Sequence, residues 1–182
     1  MNLPNYLTLL RITLVPVFFT LLISYQTGSE TCRVFALVVF AVASISDALD
    51  GILARLTCQQ TELGTFLDPL ADKLLLLSGY VGILWVARLP YRPPLWITVT
   101  IVFRDLVILG GMLVIFFVTR KVHIQPSLAG KLTTFFQMMC LAAILFKNSV
   151  AVWLWNTTAV LTILSGVIYV HRGLGQLAGE KT

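Results

Sequence analysis

Eight acidic residues occur in the 182-residue chain, and four of them, Asp47, Asp50, Asp68 and Asp72, fall within one short stretch. If that stretch is helical, Asp47 and Asp50 lie about one turn apart, and Gly51 and Ala54 follow on the same face. Asp68 and Asp72 repeat the arrangement on a second helix, with Gly64 one turn before them. Two antiparallel helices joined by a short turn can therefore aim two carboxylates each at a common point. All-oxygen donors of this kind suit hard divalent cations, magnesium or manganese, which keep some water and bind substrate phosphates. Gly51, Ala54 and Gly64 let a ligand or a partner helix approach the backbone closely.

A blander reading treats the small residues as helix-packing contacts and lets single aspartates pair with nearby Arg55 and Lys73. It fails on number. Four carboxylates in an apolar medium repel one another and lose hydration, at a cost of many kcal/mol, and the nearby cations are too few to satisfy all of them.

The medium is indeed apolar. Hydrophobic residues make up 58% of the chain and charged ones only 12%, about half the charged share of a soluble domain. Apolar segments at about Leu7 to Tyr25, Arg33 to Thr57, Leu63 to Ala87, Leu95 to Thr119, Leu128 to Phe146 and Val150 to Val170 are each long enough to cross a hydrocarbon core of about 30 Å. The expectation is an all-α integral membrane protein with six transmembrane helices, forming a single domain over residues 1–182. The breaks between segments are polar or proline-rich, and none is long enough to hold a second domain.

The net charge of +5 is scattered between apolar segments, so the partners it implies are anionic lipid headgroups rather than nucleic acid. Arg11 interrupts the first apolar run, which argues against a cleaved signal peptide. With six spans both termini share one side. Arg11, Arg55, Lys73, Arg120, Lys121, Lys131, Arg172 and Lys181 then lie toward it, against Arg33, Arg88, Arg92 and Lys147 on the other, which favours cytoplasmic termini. Cys32, Cys58 and Cys140 have neither disulfide nor zinc-site spacing and are read as packing residues. His123 and His171 are read as surface residues. Arg104 falls well inside the fourth segment, where a charge is costly and faces a partner or a wet cavity.

At the aspartates the sequence resembles the CDP-alcohol phosphatidyltransferase family, whose signature is D-x-x-D-G-x-x-A-R-x8-G-x-x-x-D-x-x-x-D. Asp47, Asp50, Gly51, Ala54, Arg55, Gly64, Asp68 and Asp72 fill every fixed position. The likeness extends to Leu-Pro-Asn-Tyr-Leu-Thr-Leu-Leu-Arg near the N-terminus, to Arg104-Asp105, and to Pro126 through Thr134. It is nearest the bacterial branch that makes phosphatidylglycerophosphate, with cardiolipin synthase of the same fold next.

The resemblance implies six helices around a polar cavity open to the cytoplasm, a homodimer, the bacterial cell membrane, and CDP-diacylglycerol as donor. It assigns two divalent ions, Mg2+ or Mn2+, to Asp47, Asp50, Asp68 and Asp72, with Asp72 also the general base. It places the nucleotide along Asp47, Gly51, Ala54 and Arg55, with Thr61 near its phosphates and Pro4, Asn5 and Thr8 closing over the cytidine. Arg104 and Lys131 would face the acceptor, since an arginine fork with a lysine suits a phosphate. The competing readings are an ion pair of Arg104 with Asp105 or Asp72, and a Lys131 that snorkels to the interface. A phosphate pocket favours glycerol 3-phosphate, with phosphatidylglycerol the alternative acceptor. An ion transporter built on the aspartates is the reading from another class. It predicts internal repeats or broken helices, which the sequence does not show.

Overall fold

The computed structural model describes residues 3–57, 62–119 and 128–177, and side chains within 8–47, 70–111 and 128–169. Six α-helices account for nearly all of these residues: α1 (Leu3–Ser24), α2 (Glu30–Thr57), α3 (Glu62–Trp85), α4 (Leu95–Thr119), α5 (Leu128–Leu145) and α6 (Ala151–Leu177). There is no strand among the described residues. The shortest helix, α5, has 18 residues, about 27 Å at 1.5 Å per residue. By length and hydropathy alone, three stretches of the described residues suffice to cross a membrane: Thr8–Thr27, Leu128–Leu145 and Ala151–Tyr169.

Each turn between helices has a local cause. After α1 a single 3-10 turn, Tyr25–Thr27, ends at Gly28, whose φ of 107° is open to glycine and strained for other residues. The Arg88 guanidinium lies where a Gly28 side chain would go, 2.7 Å from an added Cβ. Pro94 opens α4, and its carbonyl accepts from Ile97 N–H at 3.0 Å. Between α5 and α6, Lys147 adopts φ 57° and the Asn148 side chain accepts from Val150 N–H at 2.9 Å, capping the next helix.

Charged and polar side chains are buried among the core residues, while many large apolar ones face outward. Arg11, Lys73, Arg104, Asp105, Thr133 and Gln137 are buried, whereas Phe103, Leu128 and Trp153 are well exposed. Water would penalise such an arrangement and lipid favours it, because only there are outward apolar side chains in their preferred solvent. Trp85, Trp96 and Trp153 stand exposed where α3 ends and where α4 and α6 begin, hence at one end of the bundle. That is the position of an interfacial aromatic belt. At the same end Glu30 accepts from Arg33 at 2.8 Å and from Lys147, and these hydrogen bonds, Lys147's first, hold its carboxyl down at about 2.

Helix α1 packs most broadly, against both α2 and α3; α5 pairs with α6, and α4 bridges α3 and α6. Direct contact between α2 and α3 is slight. Helix α1 thus packs against both helices that carry the aspartates, which the sequence reading did not anticipate. Gly79 and Gly82 make this close packing feasible. An added Cβ on Gly82 would sit 2.6 Å from Leu22 Cδ2 of α1, and one on Gly79 would collide with Leu141 of α5. Phe18, Leu22, Leu75, Leu76, Tyr80 and Ile144 form the apolar core toward the tryptophan end.

Candidate active site

Helical register places the motif as its spacing requires. Asp47 and Asp50 lie one turn apart in the unbroken α2, and Asp68 and Asp72 lie one turn apart in the unbroken α3. Gly51, Ala54 and Arg55 follow in the last turns of α2, and Pro4 and Asn5 occupy the first turn of α1. The side chains of Pro4, Asn5, Asp50, Gly51, Ala54, Arg55 and Asp68, and the whole of Thr61 and His123, lie outside the described residues.

Asp47 and Asp72 are described, and α1 joins them. Arg11 of α1 is 1% exposed and donates from Nη1 to Asp47 Oδ1 at 2.5 Å. Asp72 Oδ1 is shut off from solvent without a hydrogen-bond partner. Its carboxylate lies within electrostatic reach of Lys73, Asp47, Arg11 and Asp105. Thr8, one turn before Arg11 on α1, is also buried.

Lys73, adjacent to Asp72 in sequence, turns to another group. Its Nζ donates to Asp105 Oδ1 on α4 at 3.1 Å and to Thr134 Oγ1 on α5 at 3.0 Å. Arg104 Nη1 donates to the same Asp105 oxygen at 2.7 Å. The ion pair weighed against an acceptor role for Arg104 therefore exists. It occupies one donor, and Arg104 Nε stays buried without a partner. Lys131 is exposed on the first turn of α5, and α5 packs on α6, α3 and α2 while Arg104 belongs to α4. The structure shows no contact between these two cations.

Sequence reasoning missed three contributors: Arg11, Lys73 in its link to α4, and Thr134. Arg11 left a signal, a charge inside an apolar run, which in a membrane segment points to a buried partner. Thr134 left none, since a threonine in such a helix ordinarily bonds its own backbone.

The donor set fits hard divalent cations. Asp72 offers a buried carboxylate oxygen with no protein donor, Asp47 carries a second carboxylate within its electrostatic reach, and register adds Asp50 and Asp68 one turn away on the same helices. Arg11 compensates charge on Asp47. Arg11→Met is expected to destabilise the protein by about 1–3 kcal/mol, below the roughly 3–5 typical of a broken buried pair because the Asp47 side chain is 37% exposed. Thermal unfolding in detergent, with Arg11→Lys as the charge-retaining control, reads the difference.

A helical bundle with apolar outer faces and buried charged groups around Asp47 and Asp72 defines a membrane protein. Comparison with known sequences makes the class specific. The profile of the CDP-alcohol phosphatidyltransferase family matches residues 1–164. A probable phosphatidylglycerophosphate synthase of Mycobacterium tuberculosis is 38% identical over 185 residues, covering 99% of this chain and 85% of the relative. A CDP-diacylglycerol--glycerol-3-phosphate 3-phosphatidyltransferase of Salmonella typhimurium is 32% identical over 187 residues, covering 98% of each chain. A cardiolipin synthase (CMP-forming) of Streptomyces coelicolor is 33% identical over 163 residues, 88% of this chain and 72% of the relative. This chain belongs to the CDP-alcohol phosphatidyltransferase family, and it is a membrane protein and a transferase.

Proposed function

We propose that this protein transfers the phosphatidyl group of CDP-diacylglycerol to glycerol 3-phosphate, giving phosphatidylglycerophosphate and CMP. The observation that carries the reading is the buried, unpartnered carboxylate oxygen of Asp72 within electrostatic reach of Asp47, on two helices whose register supplies Asp50 and Asp68. The two mycobacterial and enterobacterial relatives support the acceptor by their names.

In this reading residues 1–182 form one domain whose six helices cross the membrane, with a polar cavity and both termini on the cytoplasmic side of a bacterial inner membrane. The working unit is a homodimer. Asp47, Asp50, Asp68 and Asp72 hold two Mg2+ or Mn2+ ions. When bound, these ions neutralise the pyrophosphate oxygens and make the phosphorus more electrophilic. Gly51, Ala54 and Arg55 line the nucleotide, Thr61 lies by its phosphates, and Pro4, Asn5 and Thr8 close over the cytidine. Asp72 takes the proton from the acceptor hydroxyl, whose oxygen bonds to phosphorus as the phosphoanhydride bond to CMP breaks. The displacement is direct, so no residue is required to carry the phosphatidyl group.

Arg104 and Lys131 hold the acceptor phosphate. Arg104→Gln and Lys131→Gln are each expected to raise acceptor KM about 10- to 100-fold, the equivalent of one charge-assisted hydrogen bond of about 1.5–3 kcal/mol, with little change in donor KM. Unchanged acceptor KM in folded variants removes both residues from the acceptor site.

The experiment that tests the whole reading is an assay of purified enzyme with labelled CDP-diacylglycerol and separate acceptors: glycerol 3-phosphate, phosphatidylglycerol, inositol 1-phosphate and serine. Phosphatidylglycerophosphate as the main product sustains it. Cardiolipin as the main product replaces it with the second reading, which the Streptomyces relative favours.

A further inference from the structure

Away from the aspartate motif, three helices meet at one buried anion. Asp105 of α4 is fully buried, and its Oδ1 accepts from Arg104 Nη1 of the same helix and from Lys73 Nζ of α3. Thr134 of α5 takes another Lys73 proton. Two cations against one carboxylate leave this trio with a local surplus of one positive charge. Two of its polar atoms, Asp105 Oδ2 and Arg104 Nε, are buried without partners.

A trio kept only for stability would satisfy its groups mutually, because every unpaired buried donor or acceptor costs free energy. Here the carboxylate fixes the planar guanidinium through one nitrogen and leaves its other donors uncommitted, in a fork suited to an anion. Asp105 also draws Lys73 onto α4.

We infer that Asp105 is a positioning residue for the acceptor: it aims the Arg104 guanidinium at the acceptor phosphate. The inference rests on the acceptor reading of Arg104 proposed above.

The test measures donor and acceptor KM, kcat and thermal stability for Asp105→Asn, Arg104→Gln and the double variant. Asp105→Asn keeps the shape and removes the charge that orients both cations. Its acceptor KM rises about tenfold or more while donor KM stays within about twofold. In the Arg104→Gln background the same change adds less than about twofold, because the residue through which it acts is gone. A role confined to packing instead moves donor and acceptor KM together and adds its effect to that of Arg104→Gln, and either result overturns the inference. If Asp105→Asn does not fold, Asp105→Glu keeps the charge and displaces it by one methylene. A rise in acceptor KM alone then sustains the inference, and unchanged constants overturn it. If Arg104→Gln itself leaves acceptor KM unchanged, the acceptor reading falls and this inference with it. A normal acceptor KM in Asp105→Asn beside a raised one in Arg104→Gln removes the inference alone.

Discussion

Asp47→Asn, Asp50→Asn and Asp68→Asn are each expected to lower turnover by about a thousandfold or more, and excess EDTA to stop it in the unmodified enzyme. The substitution keeps side-chain volume and removes a negative ligand, so the loss falls on the cation and its hold on the pyrophosphate. A lost interaction of about 4 kcal/mol in the transition state corresponds to that factor. The three variants should differ in stability. Asp47 compensates a fully buried Arg11, so Asp47→Asn removes one charge that holds that cation and unfolds at lower temperature. Mg2+-dependent activity assays beside thermal unfolding in detergent separate the two effects. Full turnover in excess EDTA removes the metal reading altogether.

The helices were legible in the sequence to within a few residues at most of their ends. The expected Leu95 to Thr119 segment and the observed α4 coincide, and the other boundaries differ by a few residues, with α6 continuing past Val170 to Leu177. The reason is physical: an apolar run of about 20 residues in lipid has few alternatives to helix, since every backbone group must be satisfied within the segment. Proline and glycine then mark the ends, as Pro94 and Gly28 do here.

What the sequence did not reveal was which helices touch. Spacing put Asp47 and Asp50 on one face and Asp68 and Asp72 on another, and a short connection placed the two helices side by side. It carried no information that α1 packs most broadly against both. The missing clues were Gly79 and Gly82, which read as ordinary small residues until Leu22 is found against one of them. The Arg104–Asp105 pair was among the expected readings, but its link to Lys73 was not, for a similar reason. Lys73 sits beside Asp72 in sequence, and only the packing of α3 on α4 shows that its partner is Asp105, 32 residues on.

That divergence underlies the second large expectation: Asp72→Asn loses turnover by about a thousandfold or more while donor binding falls much less. An amide of the same shape cannot take a proton from the acceptor hydroxyl, and a base acts in the transition state, so its removal appears in kcat rather than in ground-state affinity. The surroundings of Asp72 are compatible with the proposed role. Its Oδ1 is buried without a protein donor, and the ammonium next to it in sequence is held on Asp105 and Thr134. An Asp72 paired with Lys73 would have its charge already committed. Asp72 is also a proposed metal ligand, which blurs the contrast, and titrating Mn2+ binding in the variant separates the roles. Lost turnover with Mn2+ affinity within about tenfold of the unmodified enzyme points to the base, because the remaining three carboxylates still hold the ions. Mn2+ binding lost in parallel with turnover reduces Asp72 to a ligand, and near-normal turnover across pH removes it from the chemistry.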